Sequence, residues 1–335
     1  MTLSFTTMGN AASNPAEIAP LPAELLYIPI GHPDTMMSNE SVRKAVEEFR
    51  VRPTDIIVST FAKTGTTLVT WLCHVLRTGA TVDFASMKTL YEVVPWPLLS
   101  WDIGYDPNVE GSQFFPRVFK SHLRMASVHR GCKYIVTVRD PAKTAISFYN
   151  FFLAKQVPIA TSMDASSFLM QTPFIQGREG RASIWEYYQE YHVLKDCPSV
   201  LLLVYEDLVK NMEENIHRIA DFMGLGPVTP ELMDKTLAMS TKAFMAQHMT
   251  LFDEPYERAR TLGRVADLSQ LAPGAKVAVQ AHPQQFNDEA LAFLQQKWDA
   301  HMKPLGYDTY EDFAACFRDT NEIRFGRRTT TNRRQ

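Results

Sequence analysis

The stretch Asp55–Leu76, DIIVSTFAKTGTTLVTWLCHVL, decides the fold. Asp55–Thr60 is a short apolar run rich in β-branched residues, the composition of a strand buried in a parallel sheet. Thr66–Thr78 then sets Leu68, Trp71, Leu72 and Val75 at helical spacing. The loop between them carries Lys63, Thr64 and Gly65 and runs into Thr66 and Thr67. Gly65 permits a tight turn and a close backbone approach. The N–H groups that open a helix lack partners within it and can bind an anion. Lys63 adds a positive charge, and the threonines add hydroxyl donors. The segment reads as a phosphate-binding strand–loop–helix corner. It is not a Walker A loop, which places its lysine after the last glycine. Here Lys63 precedes Gly65, and no earlier glycine is in register. A magnesium-nucleotide kinase or P-loop hydrolase is the alternative reading.

Outward from this corner, strand and helix signals alternate. Arg117–Lys120 is a short strand candidate, and Tyr134–Val138 (YIVTV) is a buried strand. Asp140-Pro141 opens a helix to about Phe152, with Asp as cap and Pro in the first turn. Val200–Tyr205 (VLLLVY) is a fourth strand, and Glu214–Phe222 a helix stopped by Gly224 and Gly226. The alternation predicts an α/β fold: one domain with a central, mostly parallel sheet flanked by helices. Ligands of such sheets bind beyond the carboxyl ends of the strands. The domain is expected over 25–320. Residues 1–24, rich in Ala, Ser, Pro and Thr, read as a disordered arm. Residues 321–335 read as a basic, flexible tail with Arg324, Arg327, Arg328, Arg333 and Arg334.

Composition narrows the classes. The 335 residues are 45% hydrophobic and 21% charged, ordinary for a globular chain that needs no disulfide scaffold. The net charge of −3 argues against a nucleic-acid partner, so any anion site is local. Cys73, Cys132, Cys197 and Cys316 show no CxxC spacing and read as free thiols of a reducing, cytoplasmic compartment. No zinc spacing is visible, and no metal is expected. The apolar stretches Ala145–Ala154 and Val200–Tyr205 fall far short of the roughly 20 residues of a membrane span.

Four ordered segments carry a resemblance. FAKTGTT (61–67) looks like the 5′-phosphosulfate loop of the cytosolic-type sulfotransferases. RVFKSHL (117–123) resembles their catalytic strand end. YIVTVRDPAKTAISFYNFF (134–152) resembles their 3′-phosphate segment, and VLLLVYEDL (200–208), with a helix ending FMGL, their Tyr-Glu-Asp segment. The similarity spans about residues 40–255.

The resemblance implies a transferase that uses 3′-phosphoadenosine 5′-phosphosulfate (PAPS), releases adenosine 3′,5′-bisphosphate (PAP) and sulfates a small-molecule acceptor. It also implies a monomer or homodimer. His122 would be the general base, since imidazole accepts protons near neutral pH. Lys120, two residues earlier, faces the same side of an extended strand. It would stabilise the transferring group, and Lys63 the leaving 5′-phosphate oxygen. Arg139 and Ser147 would bind the 3′-phosphate, with Tyr205 against adenine. Leu68 stands where the family has its adenine-stacking tryptophan. Trp71 lies near the same helix face at another height, and Phe244, in STKAFM (240–245), is a second aromatic candidate. The family's later Arg-Lys-Gly loop is not recognisable; Lys276 lies roughly in its place. Tyr91, Trp96, Trp101, Tyr105, Phe148, Tyr149, Phe151 and Phe152 would be pocket lining or core. Lys155–Ala182 reads as a loop-rich cover. A non-enzymatic nucleotide-binding module is the third reading, disfavoured by Lys63, Lys120 and His122 occurring together.

Overall fold

Four short runs of apolar residues form the sheet at the centre of the chain, β1 (Ile56–Ser59), β2 (Val118–Ser121), β3 (Lys133–Val138) and β4 (Val200–Val204). A computed structural model describes residues 37–109, 111–154, 157–178, 181–253 and 284–326. The arm at 1–24, Lys276 and the last four arginines of the basic tail lie outside the described residues. The strands run in the order β2-β1-β3-β4, all parallel. The chain leaves β1 toward one neighbour and returns to the other side for β3. The switch point, where ligands of open α/β sheets bind, therefore lies between β1 and β3.

The helices, in chain order, are α1 (Asn39–Glu47), α2 (Thr66–Arg77), α3 (Pro97–Ser100) and α4 (Pro141–Ala154). Then come α5 (Pro158–Thr161), α6 (Ala165–Gln171), α7 (Pro173–Gln176) and α8 (Ile184–Leu194). They are followed by α9 (Tyr205–Lys210), α10 (Met212–Met223), α11 (Pro230–Met239) and α12 (Lys242–Gln247). The described chain closes with α13 (Asp288–His301) and α14 (Tyr310–Phe325).

Alternate side chains of the strands enter two separate cores. Ile57, Phe119, Val136 and Leu202 pack on one face with aromatics of α4 and α8. Ile56, Val58, Ile135, Leu201 and Leu203 pack on the other with α2 and α10. Burial on both faces explains why the strands read as continuous apolar runs. At the amino end, Asp55 and Arg117 form a buried pair, Nη2 to Oδ2 at 2.6 Å and Nε to Oδ1 at 3.0 Å. At the outer edge, Asn321 Nδ2 donates to the Leu202 carbonyl at 2.7 Å and Arg324 Nη1 to the Val200 carbonyl at 2.6 Å. These donors of α14 occupy carbonyls that a further strand would otherwise use.

The sequence expectations differ here at two places. The segment read as loop-rich holds three helices of at most seven residues, α5, α6 and α7. Each opens at a Pro or after a capping Asp164 and is too short to show helical periodicity. The boundary at 320 also falls inside α14, and Arg324 is an anchored helix residue rather than part of a tail.

Candidate active site

The loop after β1 is left-handed at Lys63 (φ 70°) and Gly65 (φ 113°). A lysine rarely adopts that conformation, so its surroundings must hold it. Arg139 does so in part, its Nη1 donating to the Lys63 carbonyl at 2.7 Å. Gly65 caps α2 without a side chain, and the Val69 N–H donates to the Gly65 carbonyl at 3.1 Å. The N–H groups of Thr66, Thr67 and Leu68 precede that bond and find no acceptor within the helix. Lys63 Nζ lies 4.2 Å from the ring centroid of Phe151 on α4.

The threonines divide their work. Thr64 is fully buried; its hydroxyl donates to the Phe61 carbonyl at 2.6 Å and meets the Thr137 hydroxyl at 2.7 Å. The Thr66 hydroxyl meets that of Thr60. These side chains tie the loop to β1 and β3 instead of facing an anion. Thr67 remains half-buried on the first turn of α2.

Lys120 lies within β2 and is only 3% exposed. Its Nζ sits 4.1 Å from the centroid of the Trp96 ring and 3.4 Å from the Tyr91 hydroxyl. His122 follows the strand and stands edge-on to the same indole, with centroids 5.1 Å apart. His122 Nδ1 is 2.9 Å from the Thr60 carbonyl. A carbonyl only accepts, so Nδ1 carries the hydrogen, and the lone pair of the neutral ring is on Nε2. That tautomer suits a base.

Arg139 follows β3. Its guanidinium carbon lies 4.4 Å from the Tyr205 ring centroid, and its buried Nε has no hydrogen-bond partner among the described residues. Tyr205 opens α9 with its ring against Gly65. Its neighbour Glu206 accepts from the Asp140 N–H at 3.3 Å and the Tyr310 hydroxyl at 2.7 Å. Lys63, Gly65, Arg139 and Tyr205 thus form one contact set across β1, β3 and β4. Ser147 lies half-buried on the second turn of α4, with no direct bond to Arg139.

Phe244 is half-buried and stacks on Trp71, centroids 6.5 Å apart at 22°. Leu68 packs on the same cluster. Trp71 itself is wholly buried and donates from Nε1 to the Met239 carbonyl at 2.9 Å. It supports Phe244 and offers no face to a ligand. Tyr91, Trp96, Phe148, Tyr149 and Phe152 are likewise buried core, whereas Trp101, Tyr105 and Phe151 are partly exposed.

Sequence reasoning missed α8. Tyr187 donates to the His122 carbonyl at 2.6 Å and Tyr191 to the Ser59 carbonyl at 3.2 Å. The Tyr188 hydroxyl donates to the Arg139 carbonyl and accepts from the Arg139 N–H at 3.1 Å. Burial pushes all three phenols up, which keeps them protonated donors. The YYQEY run was the available signal, but a sequence does not say which carbonyls a helix will reach.

Lys63, Lys120 and Arg139 gather three cations at the carboxyl end of a parallel sheet, beside an oriented histidine. Such an arrangement can hold an anion next to a proton acceptor. Residues 53–304 match the sulfotransferase domain, and the chain belongs to that family. It is 27% identical to mouse sulfotransferase 6B1 over 225 residues, 65% of this chain and 70% of the relative. It is 29% identical to guinea-pig (Cavia porcellus) 3-alpha-hydroxysteroid sulfotransferase over 231 residues, 65% and 75% of the two chains. Mouse sulfotransferase SULT7A1 complexed with PAP shares the fold at a TM-score of 0.58 and 19% identity, covering 88% of this chain and 99% of that one. Retinol dehydratase in complex with androsterone and the inactive cofactor PAP gives 0.58 at 18% identity, covering 80% and 86%. Among the described residues, no helix is long and apolar enough to cross a membrane.

Proposed function

We propose that the chain transfers a sulfuryl group from PAPS to the hydroxyl or amine of a small-molecule acceptor, in the cytoplasm and without a metal. The observation that carries this reading is the Nδ1 contact of His122 with the Thr60 carbonyl, which leaves Nε2 as the basic nitrogen of a ring that shares the Trp96 indole with Lys120. The residues present fit the donor: a glycine-capped helix start, a lysine, and a half-buried arginine whose Nε has no partner among the described residues. The donor supplies a phosphosulfate anhydride whose S–O bond breaks as the acceptor's S–O or S–N bond forms.

His122 Nε2 takes the proton of the acceptor. Lys120 neutralises charge on the transferring group, and Lys63 with the first-turn N–H groups of α2 receives the leaving 5′-phosphate side. Arg139 reads the 3′-phosphate, with Ser147 able to join through its hydroxyl. Leu68 and Phe244 supply an apolar surface for adenine. Tyr205, whose ring packs on Gly65 and Arg139, fixes the loop and the arginine and would lie against adenine. The relative named for a hydroxysteroid, and the neighbour holding androsterone, favour an acceptor with a hydroxyl on an apolar body.

The kinase alternative is weaker because Lys63 precedes Gly65. The test is transfer of radiolabelled sulfate from PAPS to a panel of phenols, sterols and amines. Turnover by the native chain, with His122→Ala slower by roughly 100- to 10,000-fold, is expected. Equal turnover in the variant removes His122 as base.

A further inference from the structure

The sheet ladder stops one residue short of both His122 and Arg139, because β2 ends at Ser121 and β3 at Val138. Something else must fix their backbones. Both are gripped by α8, His122 through Tyr187 and Arg139 at two points through Tyr188. Ser59, reached by Tyr191, is still inside the ladder, paired with Ser121.

The order of these contacts matches the order of the strands. At 3.6 residues per turn, Tyr187, Tyr191 and Tyr188 stand at about 0°, 40° and 100° around the helix. They reach β2, β1 and β3, which is the sheet order. The helix is itself anchored. Ser183 and Glu186 form a capping box, and Arg124, two residues past His122, pairs with Glu186 at 2.6 Å and Glu190 at 2.6 Å. The tyrosine rings also pack independently of their hydroxyls, Tyr187 on Phe61 at 5.1 Å and Tyr188 on Phe313 at 5.0 Å.

We propose that Tyr187 and Tyr188 are positioning residues that set the base and the phosphate-reading arginine relative to each other across β1. The inference rests on the roles given above to His122 and Arg139. It also separates the two tyrosines: Tyr187 acts through the base and Tyr188 through the nucleotide.

The test uses the full chain with Tyr187→Phe, Tyr188→Phe and, as a matched loss of a buried hydroxyl, Tyr191→Phe. PAP affinity is read by calorimetry, and the His122 ring by nitrogen-15 NMR of labelled histidine. Tyr188→Phe weakens PAP roughly fivefold to tenfold, the worth of about one hydrogen bond, and leaves the His122 signals in place. Tyr187→Phe moves the His122 signals and leaves PAP affinity within about twofold. Tyr191→Phe lowers the melting temperature comparably but moves neither readout. If the three variants lose stability alike while both readouts stay fixed, or move together, the tyrosines are structural and the proposal falls. If the native chain binds no PAP, the functional reading falls instead, and the His122 spectrum of Tyr187→Phe still decides the positional claim.

Discussion

A Cβ added at Gly65 would lie 2.5 Å from Cδ2 of Tyr205, so the loop after β1 and the helix after β4 meet with no room between them. Gly65→Ala must therefore move the Tyr205 ring and also hold an alanine at a positive φ. Strain of about 1–3 kcal/mol is expected to appear as a loss of PAP affinity of roughly tenfold or more, with the far-UV spectrum unchanged. Tyr205→Ala in the same chain removes the clash but not the backbone strain, so the melting temperature, lowered by Gly65→Ala, recovers only in part. Full recovery would show that contact alone, and not conformation, requires the glycine.

Arg139 holds the Lys63 carbonyl, and in the proposed reading it also binds the 3′-phosphate. Arg139→Ala should weaken both PAP and adenosine 5′-phosphate, through the loosened loop. The loss for PAP should exceed the other by roughly tenfold or more, because a charge-assisted bond is worth about 1.5–3 kcal/mol. Calorimetry with both ligands checks this. Equal losses would leave Arg139 a loop support only.

The buried pair of Asp55 and Arg117 lies at the opposite end of the sheet from the site. Arg117→Met leaves the Asp55 carboxylate buried without its partner and should cost about 3–5 kcal/mol in urea unfolding. PAP affinity of the folded fraction should stay within about twofold. Adding Asp55→Leu should return much of the stability; no return would show that the pair does more than cancel its own burial.

Acid sensitivity has an expected source in His74. Burial, with the Arg77 guanidinium beside it, pushes its pKa down to about 3. Arg77 donates to Nδ1 from Nη2 at 3.1 Å, so the folded state holds the ring neutral. The unfolded state binds the proton near pH 6.5, so stability falls as pH drops below that value and levels off only near pH 3. One such group gives a slope of about 1.4 kcal/mol per pH unit. His129, half-buried, is shifted the same way by its desolvation and steepens it. His74→Gln keeps an acceptor for Arg77 and should flatten the slope by about that amount; an unchanged slope would assign the acid loss to other groups.

The sequence carried β1, its loop and α2 because a run buried on both faces, a glycine and a helical period lie within one short stretch. β3 and β4 were legible as apolar runs, β2 only as a short strand candidate, and Asp140 caps α4 as its residue type implies. The clasp formed by α8 was not legible, since Tyr187, Tyr188 and Tyr191 act on backbone groups of three distant strands. The sequence also could not tell that Thr64 and Thr66 spend their hydroxyls inside the loop, or that Trp71 lies wholly within the core. Those assignments depend on which neighbours close over a side chain, not on its spacing.

The central claim is that this site holds a 3′-phosphorylated adenosine nucleotide for sulfuryl transfer. Calorimetric titration of the full chain with adenosine 3′,5′-bisphosphate, against ATP with magnesium, tests it most directly. Tight bisphosphate binding with weak ATP binding is the predicted result. Preference for ATP with magnesium, or no binding of either ligand, would contradict it.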